Sequence, residues 1–174
     1  MQQQQMFFTA TATAAGRINL SPKGIDSFRL IDPLTVAYLD LTGSGNETSA
    51  HLRVADRITV MFCSFDAKSQ ILRIYGRGQV IRPRDPDWTA MLQEFPAIDG
   101  TRQIVQITVE SVQTSCGMGV PRYEFVEQRD SLINWAKNKG SDGLRQYWSE
   151  KNQVSIDGLP TEIFSNHNSD TCDR

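Results

Sequence analysis

Hydrophobic and polar positions alternate along most of the first two-thirds of the chain. In residues 6–14, Phe8 and three alanines share one face and three threonines share the other. A period of two residues is typical of a β-strand, because successive side chains point to opposite faces of a sheet. Similar patterns predict five further strands, over residues 17–23, 34–41, 57–65, 70–82 and 102–113.

Helical spacing predicts short helices between and after these strands. Asn46 is a candidate cap for a helix running to about Val54. A second helix follows Asp85-Pro86, and its apolar stripe consists of Trp88, Met91, Leu92 and Phe95. From about residue 129 the pattern is helical on both sides of Gly140. We expect a disordered segment over residues 1–5, a single domain over residues 6–160 and a polar tail over residues 161–174.

A mostly antiparallel sheet of this length leaves exposed edges unless it closes or is covered. Closure into a small barrel, with helices packed outside it, satisfies this requirement. The sequence therefore predicts a mainly β fold, a six-stranded antiparallel barrel with short flanking helices.

Composition narrows the possible functions of this fold. The 174 residues carry a formal net charge of −2, which argues against a nucleic-acid binder held by general electrostatics. No apolar run approaches the roughly 18–20 residues that span a bilayer, so we expect no membrane partner. The glutamine-rich start lacks the positive charge of a targeting segment, which favours a cytoplasmic protein. Three cysteines without a CxxC pair predict neither a disulfide framework nor a metal site.

Three polar groups share one face of the second predicted strand. Asn19, Ser21 and Lys23 place an amide, a hydroxyl and an ammonium in a row. Such a row suits an anionic ligand that accepts hydrogen bonds. The alternative is an ordinary solvated strand face that ends in a turn.

A loop rich in glycine and hydroxyl groups follows the third predicted strand. Its candidate ligand-binding side chains are Thr42, Ser44, Asn46 and Thr48. Glycines allow the backbone to approach a ligand, and the helix that follows points its positive end at the same place. The alternative is a capped Gly-Ser loop without a ligand, and the missing GK[ST] sequence excludes a P-loop.

A third candidate segment ends the last predicted strand. Gln113, Ser115 and Cys116 precede two closely spaced glycines, a composition typical of sites where backbone meets a ligand or another chain. No charged neighbour would lower the pKa of the Cys116 thiol, so a buried or interface thiol is the favoured interpretation.

These segments together resemble the pyridoxamine-phosphate-oxidase-like family. The strongest pieces are NLSPKG, DLTGSGNET and QTSCGMGVP, and the likeness runs from about Phe7 to Leu159. The resemblance implies a split barrel, a homodimer, and FMN bound in a groove between the subunits. It implies that Asn19, Ser21 and Lys23 face the flavin and that the 42–48 loop holds the ring edge and the phosphate. Gln113, Ser115 and Cys116 would then lie near the site, reaching it from the partner subunit.

The family resemblance leaves the reaction open. The arginine- and histidine-bearing C-terminal segment by which true pyridoxamine phosphate oxidases hold their substrate is not found, so vitamin B6 oxidation is not expected. We expect an FMN-dependent oxidoreductase that acts on an unidentified small molecule. One alternative is a non-catalytic carrier of flavin or haem on the same barrel. Another is an oligonucleotide-binding barrel, which the acidic charge balance argues against.

Overall fold

Seven antiparallel strands form a single sheet in a computed structural model that describes residue 1 and residues 3–164. The strands are β1 (Phe7–Thr11), β2 (Asn19–Lys23), β3 (Phe28–Asp32), β4 (Thr35–Leu41), β5 (Arg57–Cys63), β6 (Ile71–Ile81) and β7 (Thr101–Ser115). They lie in the order β2-β1-β5-β6-β7-β4-β3. The mainly β antiparallel fold predicted from the sequence is confirmed.

The two edge strands of this sheet, β2 and β3, are consecutive in the chain. Only residues 24–27 separate them, so the sheet must curl until its edges approach each other. Rings from both halves of the sheet meet inside the curl: the ring centroid of Phe7 lies 5.1 Å from that of Phe28 and 5.6 Å from that of Phe62. No backbone ladder joins β2 to β3 within the described residues, so the barrel is split along this line.

The prediction of six strands is wrong, because the structure has seven. The missed strand is β3, which pairs with β4 from Phe28↔Tyr38 to Asp32↔Thr35. Its sequence FRLID places charged residues at the second and last positions, and its burial pattern shows no fully buried residue. An edge strand exposed in this way lacks the apolar alternation that reveals a strand in sequence.

Three helices accompany the barrel: α1 (Glu47–Val54), α2 (Trp88–Leu92) and α3 (Ser131–Lys151). The predicted stripe of α2 is confirmed, since its side chains pack with Phe95 against Leu39, Ile81 and Ile104. Helix α3 bends at Gly140, whose backbone is not helical (φ 65°, ψ 176°). None of the helices in the described part of the chain combines the length and apolarity of a membrane span.

The start of the predicted polar tail packs against the domain. Thr161 is fully buried, and its carbonyl accepts hydrogen bonds from Arg82 and Ser49. At the other terminus, Gln5 accepts hydrogen bonds from Gln128. Residues 165–174, which include His167 and Cys172, lie outside the described residues.

Candidate functional site

A polar cleft of about 360 Å³ lies at the split of the barrel, within the ~300–1,000 Å³ typical of small-molecule sites. Strand β2, the end of β4, the loop before α1 and the start of β7 form its walls. The polar and charged lining residues are Asn19, Ser21, Lys23, Asp40, Ser44, Asn46, Glu47, Thr48 and Arg102. The fold therefore brings the first two groups of predicted site residues together, apart from Thr42, which lies behind the cleft.

A buried carboxylate organises the charges of this cleft. Asp40 is 2% exposed and accepts hydrogen bonds from Lys23 Nζ at 2.6 Å, Arg102 Nη2 at 2.7 Å and Gln103 Nε2 at 2.8 Å. Lys23 lies on β2 and Asp40 on β4, so their ion pair bridges the split of the barrel. It links by side chains two strands that no backbone ladder joins.

A β-bulge explains why two consecutive residues of β7 reach the same carboxylate. Asp40 pairs with Gln103 and Leu41 pairs with Thr101, so Arg102 has no partner on β4. In a regular strand residues 102 and 103 would point to opposite faces. The extra residue breaks that alternation, and both side chains turn toward Asp40.

The two cations determine the ionisation of Asp40. Burial alone would raise its pKa, but the charges and hydrogen bonds of Lys23 and Arg102 outweigh burial and hold the pKa well below its usual value of 3.8. One negative charge therefore faces two positive charges, which leaves the cluster with a net charge of +1. Arg102 Nε is buried without an acceptor among the described residues.

The loop before α1 offers backbone donors to the cleft. Gly43, Ser44 and Gly45 are exposed. Their amides donate no hydrogen bond to any described residue. The first turn of α1 adds amides that lack intrahelical acceptors and carry the positive end of the helix dipole. The carboxylate of Glu47 is held by the amide of Ile156, with oxygen-to-nitrogen distances of 3.0 and 3.2 Å.

Several predicted site side chains support the loop from within the protein. Thr42 donates to the carbonyl of Gly100 and accepts from Trp148 Nε1. The side chain of Asn46, the expected helix cap, makes no capping bond and instead accepts from Gln103 Nε2 at 2.8 Å. Thr48 accepts from Asn19 Nδ2 at 3.0 Å.

The β2 face is likewise internally bonded, except at Lys23. Asn19 Nδ2 also contacts Thr11 Oγ1 at 3.2 Å, and Ser21 Oγ donates to Asn19 Oδ1 at 2.9 Å. Thr11 in turn contacts Nδ1 of His51, which is buried in α1. Lys23 keeps 20% of its side chain exposed. It is therefore the charged β2 group that a ligand in the cleft can contact.

The third group of predicted site residues lies away from the cleft in this chain. Gln113 Oε1 accepts a hydrogen bond from Tyr75 at 3.2 Å, and Ser115 Oγ accepts one from Arg73 at 3.1 Å. Cys116 is exposed just after β7. None of the three lines the cleft.

Sequence patterns missed the two most buried charged groups of the site. Asp40 reads as one polar position in a β-strand, and Arg102 stands 62 positions further along the chain. The available signal was the charge itself, because Asp and Arg are rarely fully buried unless they are paired. The resulting arrangement, a net positive cluster beside free amides, can bind a small anion by charge-assisted hydrogen bonds.

Comparison with known proteins supplies relatives for this fold. The family model described as pyridoxamine 5'-phosphate oxidase matches residues 1–116. The pyridoxamine 5'-phosphate oxidase family protein ustO of Aspergillus flavus is 38% identical over 177 residues, which cover 90% of this chain and 70% of ustO.

Two crystal structures share the fold at low sequence identity. HupZ of Group A Streptococcus is 23% identical, with a TM-score of 0.50 and coverage of 64% of this chain and 90% of that one. A pyridoxamine 5'-phosphate oxidase-related, FMN binding protein of Nostoc punctiforme is 15% identical, with a TM-score of 0.50 and coverage of 67% and 76%. The family model and the relative from Aspergillus confirm the resemblance seen in the sequence, and the chain belongs to the pyridoxamine 5'-phosphate oxidase family.

Proposed function

We propose that this protein binds FMN in the polar cleft and acts as an FMN-dependent oxidoreductase on a small-molecule substrate. The observation that carries the proposal is the Asp40 cluster, in which one carboxylate holds Lys23 and Arg102 beside the cleft with a net positive charge. Family membership supports FMN in particular, since a relative of the same fold is described as an FMN binding protein.

The donors of the cleft fit the phosphate of FMN. A phosphate dianion is bound best by a cation together with several N–H and O–H donors. Lys23 supplies the cation, and the amides of residues 43–45 and the start of α1 supply N–H donors. The fixed Asp40 carboxylate orients Lys23 and Arg102 before the ligand arrives, which lowers the entropic cost of binding. The bond from Ile156 draws the carboxylate of Glu47 away from the loop amides.

The flavin supplies the redox chemistry when bound, by accepting and releasing a hydride equivalent. The residues of this chain bind and orient it. Lys23 and the loop amides fix the phosphate end, and the internally bonded Asn19 and Ser21 present amide and hydroxyl groups along β2. No side chain of the cleft is required as a catalytic acid or base.

Replacing Lys23 with methionine should weaken FMN binding by roughly ten- to a hundredfold, because the phosphate loses a charge-assisted donor of about 1.5–3 kcal/mol. Methionine preserves most of the side-chain length while it removes the charge. Fluorescence titration of the apoprotein with FMN measures the change. Lys68→Met is the matched control, since Lys68 is exposed on the loop after β5 and does not line the cleft. Equal affinity in wild type and Lys23→Met would refute the assignment of the phosphate to Lys23.

A redox assay separates an oxidoreductase from a carrier. The FMN-loaded protein should lose its yellow colour with NADH or NADPH and regain it in air. A flavin that stays oxidised with both donors favours carriage, and a purified protein with a haem Soret band favours the haem-binding alternative.

The outer face of the sheet supports a homodimer. Cross-strand neighbours Phe8, Met61 and Arg73 share this face with Gln113, and the three on β1, β5 and β6 are half-buried rather than exposed. A second copy that packs here would bring Gln113, Ser115 and Cys116 toward the cleft of its partner. Light scattering of the purified protein should give twice the mass of the 19.6 kDa chain, and a monomer mass would refute the dimer.

A further inference from the structure

We propose that Asn152, at the end of α3, is a positioning residue that holds the cleft in its ligand-binding shape. Through Asn152, the binding of a ligand in the cleft is coupled to the docking of the C-terminal turn, which we define as residues 152–161. The inference rests on the proposed function of the cleft and adds a residue that lies behind it.

Asn152 uses both ends of its side chain to hold the cleft wall. The residue is fully buried, and its amide donates to the carbonyl of Trp148, which ends α3. Its Nδ2 donates to the carbonyl of Gly43 at 3.1 Å, and its Oδ1 accepts from Arg102 Nη1 at 2.8 Å. One side chain therefore contacts both the loop that offers amides and the arginine that pairs with Asp40.

The loop has few other supports between its two ends. Gly43 and Gly45 are exposed, and a Cβ added at Gly43 would meet nothing within 4 Å. The carbonyl of Gly45 accepts from Arg102 Nη1 at 3.0 Å, and the same nitrogen is bonded to Asn152. Asn152 thus acts on Gly43 directly and on Gly45 through Arg102. Without it, the loop amides would lose the orientation that makes them a preformed anion site.

The backbone of Asn152 ties the same point to the C-terminal turn. Its carbonyl accepts a hydrogen bond from Thr161 Oγ1 at 2.6 Å, and the amide of Thr161 donates to the carbonyl of Gln153. Within the turn, the amide of Ser155 donates to the carbonyl of Leu159. A ligand that stabilises the loop must stabilise this turn by the same coupling free energy, because linkage between two sites is reciprocal.

The test compares Asn152→Ala with Asn152→Asp, and Asn138→Ala on the exposed face of α3 is the control. Aspartate keeps the volume and the acceptor for Arg102 but cannot donate to Gly43. Titration with FMN and with inorganic phosphate is done at a temperature where every variant is folded. We expect both affinities to fall at least about tenfold in Asn152→Ala and by a smaller factor in Asn152→Asp. The visible circular dichroism of bound FMN should also change.

Hydrogen exchange measures the coupling itself. In wild type and Asn138→Ala, FMN should slow exchange at the amides of Ser155 and Thr161, and in Asn152→Ala this protection should disappear. A purely structural role would lower stability without changing the affinity or the dichroism of the folded protein, and that result would overturn the proposal. If wild type binds FMN and both Asn152 variants match it, the positioning role alone fails. If wild type does not bind FMN, the proposed function fails together with this inference.

Discussion

Replacing Asp40 with asparagine should lower the free energy of unfolding by about 3–5 kcal/mol. The substitution leaves the guanidinium of Arg102, which is 3% exposed, without its countercharge. Lys23 loses the same partner, so the bridge across the split of the barrel is also broken. Urea denaturation followed by circular dichroism measures the loss. The control is Asp99→Asn, an exposed aspartate in the turn before β7, where the change should stay within ±0.5 kcal/mol.

The stability lost in Asp40→Asn should depend on pH with a definite sign. The folded-state pKa of Asp40 lies below the unfolded-state value of about 3.8. Its ionised form therefore contributes stability that is complete above the unfolded-state pKa and is lost as the pH falls through the folded-state pKa. The difference between wild type and Asp40→Asn should be constant above about pH 5 and should shrink toward about pH 2. A difference that stays unchanged over this range would contradict the ion-pair explanation.

Replacing Gly76 with alanine should cost at least about 3 kcal/mol, or abolish folding. A Cβ at Gly76 would lie 2.2 Å from the carbonyl oxygen of Thr108 and 2.9 Å from Ile107 Cγ2. The oxygen belongs to the backbone of β7, so rotation of a side chain cannot relieve the clash. Position 76 lies where the pairing of β6 with β7 shifts register, in the strand pair that crosses the middle of the sheet. The close approach of the two backbones at this shift therefore requires glycine.

The matched control for Gly76 is Gly119→Ala. An added Cβ at Gly119 meets nothing within 4 Å, and its φ is not in the left-handed region. Thermal and urea unfolding of the two variants should differ clearly, with Gly119→Ala close to wild type. If Gly76→Ala folds with wild-type stability, the close approach of β6 and β7 at this point is wrong.

Local patterns were sufficient to predict most of the sheet. Residues 57–65, 70–82 and 102–113 were predicted as strands from their apolar alternation, and each contains or overlaps an observed strand. The strand β3 was missed because an exposed edge strand is not required to alternate. The turn before it was also difficult to recognise, since its left-handed residues are Ile25 and Asp26 instead of glycine or asparagine.

The site was predicted in part, for a related physical reason. Residues that are close in sequence, such as Ser21 and Lys23 on one strand face, can be grouped from their spacing. The pairing of Asp40 with Arg102 depends on strand register and on an extra residue in β7, and neither has a local sequence signal. Asn46 was expected to cap α1, but its side chain instead bonds to Gln103, which the same bulge turns inward.

The contribution of the C-terminal residues was also hidden from the sequence. A polar composition after Asn152 is typical of a solvated tail. The structure shows instead that Asn152 and Thr161 are fully buried, because buried donors and acceptors of the loop and of Arg82 require polar partners. Polar residues that satisfy buried groups therefore have the same composition as an exposed segment.

A comparison of FMN with riboflavin tests the central claim most directly, because the two ligands differ only in the phosphate. Calorimetric titration of the apoprotein should show FMN binding at least about a hundredfold more tightly than riboflavin. In Lys23→Met this preference should narrow, because the charge that favours the phosphate is gone. Equal affinities for FMN and riboflavin, or no binding of either, would contradict the assignment of the cleft as an FMN phosphate site.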